Sequence, residues 1–191
     1  MNRSNNKRYQ RTERMIQDRF LEILADNPEN AVTVDAVCSE LPINRCSFYL
    51  HHKNLQSLMD AVLGRHHEEF MNRLSIEEYA SSDTPLSSAA RVFIDFIIEN
   101  QHFYRYYAKH SDQFLQFGQH IRDCLRVLSP STQPFLGLSE LQLSYLGEFI
   151  QAGVLTVLKR WFNSEEEEPI EEIVELFAAI IRPLEIRTKQ P

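Results

Sequence analysis

Residues 33–53, TVDAVCSELPINRCSFYLHHK, decide the fold, because two helix-sized segments flank a three-residue break. In the first segment Val34, Val37, Cys38 and Leu41 recur at i, i+3, i+4 and i+7, which makes one apolar stripe on an α-helix. Thr33 stands where a hydroxyl can cap that helix. After Leu41, Pro42 and Ile43, Asn44 opens the second segment, its side-chain oxygen placed to accept from the free amides of a first turn. Phe48, with Cys46 as a second candidate, can turn to a core, whereas Arg45, Ser47, Tyr49 and His51 offer a cation, donors and a stackable ring to something outside. DNA base edges and phosphates carry the complementary groups. The pattern is that of a helix-turn-helix.

Working outward, TERMIQDRFLEILADNP (residues 12–28) puts Ile16, Phe20, Ile23 and Leu24 on one helical stripe, which Asn27 and Pro28 end. Asn54 then caps a segment with Leu55, Leu58, Met59, Val62 and Leu63 on one face, enough to close a small core over the pair. This segment runs to about Leu74, and a helix of about 20 residues is about 30 Å long. Gly64 is a soft point in its middle.

The chain has 191 residues, 43% hydrophobic and 10% aromatic, the composition of a folded globular protein. No alternating apolar pattern bounded by turns persists, so an all-α fold is expected. No apolar run reaches the roughly 18–20 residues that span a bilayer, and the polar, basic N-terminus lacks a following apolar region, so a cytoplasmic protein with no membrane partner is expected. Cys38, Cys46 and Cys124 contain no C-x-x-C pair and read as reduced thiols. The net charge of −7 is unevenly spread: residues 1–66 carry +1 and residues 67–191 carry −8. In the first fourteen residues Arg3, Lys7, Arg8, Arg11 and Arg14 face only Glu13, so a basic arm adjoins the helix-turn-helix.

Beyond the polar SIEEYASSDTP, Thr84 and Pro85 suit the start of a further helix. Aromatic-rich helical patterns follow, and SPSTQPFLG reads as a loop. Ser139 with Gln142 makes a capping box for the strongest amphipathic helix, whose stripe runs from Leu146 to Trp161. Pro169 opens a last helix through Ile170, Ile173, Val174, Phe177, Ile180 and Ile181, with Arg182 and Pro183 ending it.

RTERMIQDRFLEIL, TVDAVCSEL, INRCSFYLHHK and the following LxxLM segment resemble the TetR family of transcriptional regulators in order and spacing. FYLHHK and GEFIQAGVLTVLKRWF look most like the subgroup of dihydroxyacetone-kinase operon regulators. The resemblance implies a homodimer with two DNA-reading heads and a C-terminal domain that often holds an effector pocket. It divides the chain into a basic arm (1–10), a helix-turn-helix domain (11–60) and a C-terminal regulatory and dimerisation domain (61–191). It implies that Thr33 bonds a phosphate, that Asn44, Arg45, Cys46 and Ser47 face base edges, and that Tyr49, His51 and Lys53 lie against the DNA backbone. Three positions depart from the family pattern: Pro42 replaces a turn glycine, Leu55 a phosphate-binding lysine, and His52 an aromatic residue.

Phe149, Ile150, Gly153, Val154, Val157 and Trp161, with Ile173, Phe177 and Ile180, are the expected dimer interface, against the alternative of an ordinary internal core. Phe93, Phe96, Phe103, Tyr104, Tyr107, Phe114 and Phe117 either line an effector pocket or pack as core, and helical spacing favours core. His66, His67, Glu68 and Glu69 read as a solvated helix face and not as a metal site. No catalytic motif is present, so no enzyme activity, metal or cofactor is expected. The expected function is a DNA-binding regulator, of repressor sign, on a palindromic double-stranded operator, controlled by a small-molecule or protein effector. The alternative is a helical protein-interaction module that binds no DNA.

Overall fold

A computed structural model describes residues 7–26, 32–74, 85–110, 139–164 and 169–186, and all regular structure among them is α-helical. In chain order the helices are α1 (Lys7–Asp26), α2 (Val34–Ser39), α3 (Arg45–His51), α4 (Leu55–Arg73), α5 (Pro85–Glu99), α6 (Gln101–His110), α7 (Glu140–Phe162) and α8 (Ile170–Ile186). Residues 1–6, Asn27 and Pro28, Thr84, the aromatic residues Phe114 and Phe117, Cys124, the loop at 129–137 and Glu165–Glu168 lie outside the described residues.

The chain divides into two compact units, the first made of residues 1–66 and 102–111, the second of 67–101 and 112–191. The division falls within helix α4, between His66 and His67. Helix α6 falls in the first unit, although its sequence neighbours belong to the second.

In the first unit the sequence stripes meet as expected. Ile16, Phe20 and Leu24 of α1, Val37 of α2, Phe48 of α3 and Leu58, Val62 and Leu63 of α4 are buried together with Phe103 and Tyr107 of α6. Tyr106 joins distant pieces: its ring meets Phe20 edge-on at 5.8 Å, and its hydroxyl accepts from the buried Val32 amide at 3.2 Å. Each such aromatic removes a large apolar area from water, and burial of that kind is the main favourable contribution to folding. At the rim Arg65 pairs with Asp18 at 2.7 Å, and Arg19 pairs with Glu40 at 2.8 Å.

Several local readings change. Helix α1 begins at Lys7, inside the expected arm, because Tyr9 finds a stacking partner in His51 and the Thr12 hydroxyl donates back to the Arg8 carbonyl. His66 is buried and not solvated, packed edge-on against Phe103 at 4.9 Å. Burial and the neighbouring Arg65 charge lower its pKa to about 4, so it is neutral in the folded chain at pH 7. Helix α8 continues through Pro183 to Ile186, beyond the end that Arg182 and Pro183 are expected to set.

In the second unit Phe70 of α4 packs on Phe93 at 5.6 Å and Phe96 at 5.7 Å, and α5 packs on α8. Arg73 pairs with Glu99 at 2.6 Å while lying over the Phe96 ring. Asn100 separates α5 from α6, its amide side chain donating to the Phe96 carbonyl at 2.9 Å. The capping box forms as read: Gln142 N–H donates to the Ser139 hydroxyl, and the Gln142 side chain accepts from the Ser139 N–H. Leu155, Leu158, Trp161 and Phe162 of α7, with Ile173 and Phe177 of α8, are buried. Helix α7 is also long and apolar enough, by length and composition, to cross a membrane, which a search for unbroken apolar runs overlooks. Buried residues at one end and Glu148 in its middle suit a helix that packs against other protein.

A Cβ built on Gly64 meets nothing within 4 Å, so Gly64→Ala removes chain freedom without a clash. Its expected effect is a stability gain of about 0.5–1 kcal/mol, read as a higher urea midpoint at unchanged slope.

Candidate nucleic-acid interface

The two short helices are capped as the sequence requires. Thr33 Oγ1 accepts from the Ala36 amide at 3.1 Å, and Asn44 Oδ1 accepts from the Ser47 amide at 2.9 Å. The Ser47 hydroxyl also donates to Asn44 Oδ1, at 3.2 Å, which fixes the side chain at the helix tip. Between the helices the Leu41 amide donates to the Cys38 carbonyl at 3.3 Å, and Pro42 is exposed in the turn. Asn54 and Ser57 cap α4 reciprocally, which leaves Leu55 half-buried in its first turn.

Helix α3 is amphipathic over only seven residues. Phe48 is fully buried beneath it, while Asn44, Arg45, Cys46, Tyr49 and Lys53 are exposed and Ser47 is half-buried. Cys46 therefore belongs to the outward face and not to the core. Tyr49 is 55% exposed although its ring touches Phe48 edge-on. Arg45 makes a two-pronged pair with Asp35 of α2, Nε donating to Oδ1 and Nη2 to Oδ2.

The inner end of α3 is tied to α1 through Glu13. His51 Nδ1 lies 2.8 Å from Glu13 Oε2, Gln17 Nε2 donates to Oε1 at 2.8 Å, and Tyr9 stacks on the His51 ring at 4.0 Å. His52 Nε2 stands 3.1 Å from Oε1, at ion-pair distance but outside good hydrogen-bond geometry, and the ring packs 5.6 Å from Phe48. The imidazole thus fills the aromatic slot expected there. Burial pushes the Glu13 carboxyl up, but His52, by contact and charge, with bonds from Gln17 and His51, outweighs it and holds the pKa at about 2. His51, expected against the DNA backbone, is instead turned inward, its side chain only 6% exposed, because a carboxylate waits there.

Beside this strut a groove of about 600 Å³ separates α1 from the turn and α3, lined in part by Arg8, Arg11, Thr12, Pro42, Ser47 and His51. It places Arg8 and Arg11 of α1 beside Ser47 and Leu50 of α3. Glu13, Asp35 and Tyr9 escaped the sequence reading, since each meets a partner ten or more positions away.

The other expected site residues are less concentrated. Phe93 and Phe96 belong to the second unit, and Phe103, Tyr104 and Tyr107 to the first. All five contribute to aromatic packing, with Phe103 and Tyr107 stacked at 5.6 Å. Of the expected interface, Trp161, Ile173 and Phe177 are buried within the chain's own second unit, Ile150, Val154 and Val157 are half-buried, and Phe149, Gly153 and Ile180 are exposed. Periodicity marks an apolar stripe but not which neighbour covers it. Among the described residues no three His, Cys, Asp or Glu side chains gather as metal ligands.

A helical chain with this capped pair at one end has the architecture of a helix-turn-helix regulator. Residues 83–183 match a family model of the TetR type, described as "Transcriptional regulator C-terminal region". That match covers more than half of the chain, which belongs to the TetR family of transcriptional regulators. A solved structure titled "Dihydroxyacetone kinase operon activator DhaS" has a similar fold, with a TM-score of 0.64 over 90% of this chain and 97% of that chain, at 18% identity. No curated protein matches the chain.

The strut makes stability depend on acid in a defined window. A carboxyl depressed to about 2 from 4.5 stabilises the fold fully above about pH 4.5, and that contribution disappears as the pH falls towards 2. Glu13→Gln should therefore be less stable than the parent at pH 7, with the gap closing by pH 2.5 in urea titrations. A gap independent of pH would show that the carboxylate charge is not what holds α3.

Proposed function

We propose that the chain is a sequence-specific DNA-binding regulator, acting as a homodimer in the cytoplasm on a palindromic operator. The observation that carries this reading is α3, a short helix whose core side is fixed by Phe48 and Glu13 while Asn44, Arg45, Cys46 and Tyr49 are left outward. Arg45 and Asn44 supply donors for base edges, Tyr49 and Lys53 reach the backbone, and Thr33 and the α1 arginines add phosphate contacts. The acidic charge of the rest of the chain lies mainly beyond residue 66, away in sequence from this basic end.

Dimerisation is supported by what α7 and α8 leave uncovered. Leu141, Tyr145 and Phe149 follow one another at intervals of four, each at least 63% exposed, and Gly153 continues the row. Leu176 and Ile180 of α8 are exposed as well. Large apolar side chains in such a row suit a helix-to-helix interface between copies, with glycine permitting close approach. Two heads held in this way would read half-sites about 34–36 Å apart.

An effector, a small molecule or a protein, would act through the C-terminal domain by preferring one separation of the heads over another. Repression by occupancy is the proposed sign. Activation is the second reading, favoured by the printed title of the similar solved structure. A reporter carrying the operator upstream or across the start site separates the two signs.

Binding to a selected duplex should weaken with salt, log affinity falling by about 0.9 per log unit of salt for each phosphate neutralised. Arg45→Ala should cost about 1–3 kcal/mol on that duplex. A flat salt response with binding to a protein partner would instead mark a protein-interaction module. Because Phe149 and Ile180 are exposed in the single chain, Phe149→Glu with Ile180→Glu should leave it folded but monomeric by light scattering. A dimer that survives both changes removes α7 and α8 from the interface.

A further inference from the structure

The pair between Asp35 and Arg45 lies on the outer surface, with both side chains about 60% exposed. A solvated ion pair of this kind contributes little to folding, so fold stability is a weak reason for it. Its geometry is more informative. Asp35 takes the side edge of the guanidinium, using the Nε hydrogen and one Nη2 hydrogen. Of the five N–H donors of arginine, three remain: both on Nη1 and the second on Nη2. Two of them, one on each Nη, form the end edge, which matches the adjacent O6 and N7 acceptors of guanine.

We propose that Asp35 is a positioning residue that locks Arg45 side-on so that its free end edge selects a guanine in each operator half-site. The inference rests on the DNA-binding reading and deepens it. An unrestrained arginine at a helix tip is a mobile cation that satisfies a phosphate as readily as a base. Held by two bonds to a carboxylate on another helix, it keeps one plane and one direction before DNA arrives. The carboxylate also has a cost, because an anion beside the phosphate backbone weakens binding to every sequence. A residue that lowers general affinity while orienting a base-reading cation serves discrimination. Both ends of the lock are supported locally: Asp35 lies in the first turn of α2 behind the Thr33 cap, and Arg45 directly follows the Asn44 cap of α3.

The full-length chain is first used to select duplexes from a random pool. The parent, Asp35→Asn, Arg45→Lys and the double variant are then titrated against the selected duplex, its single-base changes and a random duplex. The proposal expects a guanine in each half-site whose replacement by adenine weakens the parent about tenfold. In Asp35→Asn most of that preference should vanish, other positions should keep theirs, and random duplex should bind as well or better. In the Arg45→Lys background Asp35→Asn should change nothing further at that base. Uniform loss across all duplexes in Asp35→Asn, or an unchanged guanine preference, overturns the role of Asp35 while leaving DNA binding intact. Failure of the parent to select any duplex overturns the DNA-binding reading and this inference with it.

Discussion

A seven-residue helix has no stability of its own in water, where isolated helices shorter than about 12–15 residues are marginal. Helix α3 therefore has its shape and direction imposed from outside. Three contacts do this: the Asn44 cap at its tip, the Phe48 ring in the core, and Glu13 gripping the histidines at its far end. A cap of this kind contributes about 1 kcal/mol and a fully buried aromatic several times that on truncation. Glu13 adds direction as well as energy, because a carboxylate bonded by Gln17 and His51 and paired with His52 fixes where α3 leaves α1. Specific reading of DNA by so short a helix requires that kind of support.

The second unit solves a different problem. Its helices bury one apolar side internally, through Leu158, Trp161, Ile173 and Phe177, and leave a second apolar row on α7 and α8 in the open. That exposed row is the surface on which the proposed contact between copies rests. In the proposed dimer, two-fold symmetry would set the spacing of the two α3 helices.

The sequence made legible those features that depend on residues three or four positions apart. The Thr33, Asn44 and Ser139/Gln142 caps, the stripes of α1, α2 and α4, and the outward polar face of α3 are all of this kind. Contacts across long separations were not legible. Nothing local pairs Glu13 with His51, Asp35 with Arg45, or Val32 with Tyr106, which is 74 positions away. For the same reason the burial of His51 against Glu13 and of His66 against Phe103 is not legible from residues three or four positions apart.

Hydroxyl-radical footprinting of the intact protein on a selected duplex at low ionic strength tests most directly whether paired α3 helices read DNA. Two protected patches of equal strength, related by a two-fold axis and centred about one helical turn or a multiple of it apart, are the expected result. A single patch, or no protection at protein concentrations where the dimer is fully formed, would contradict it.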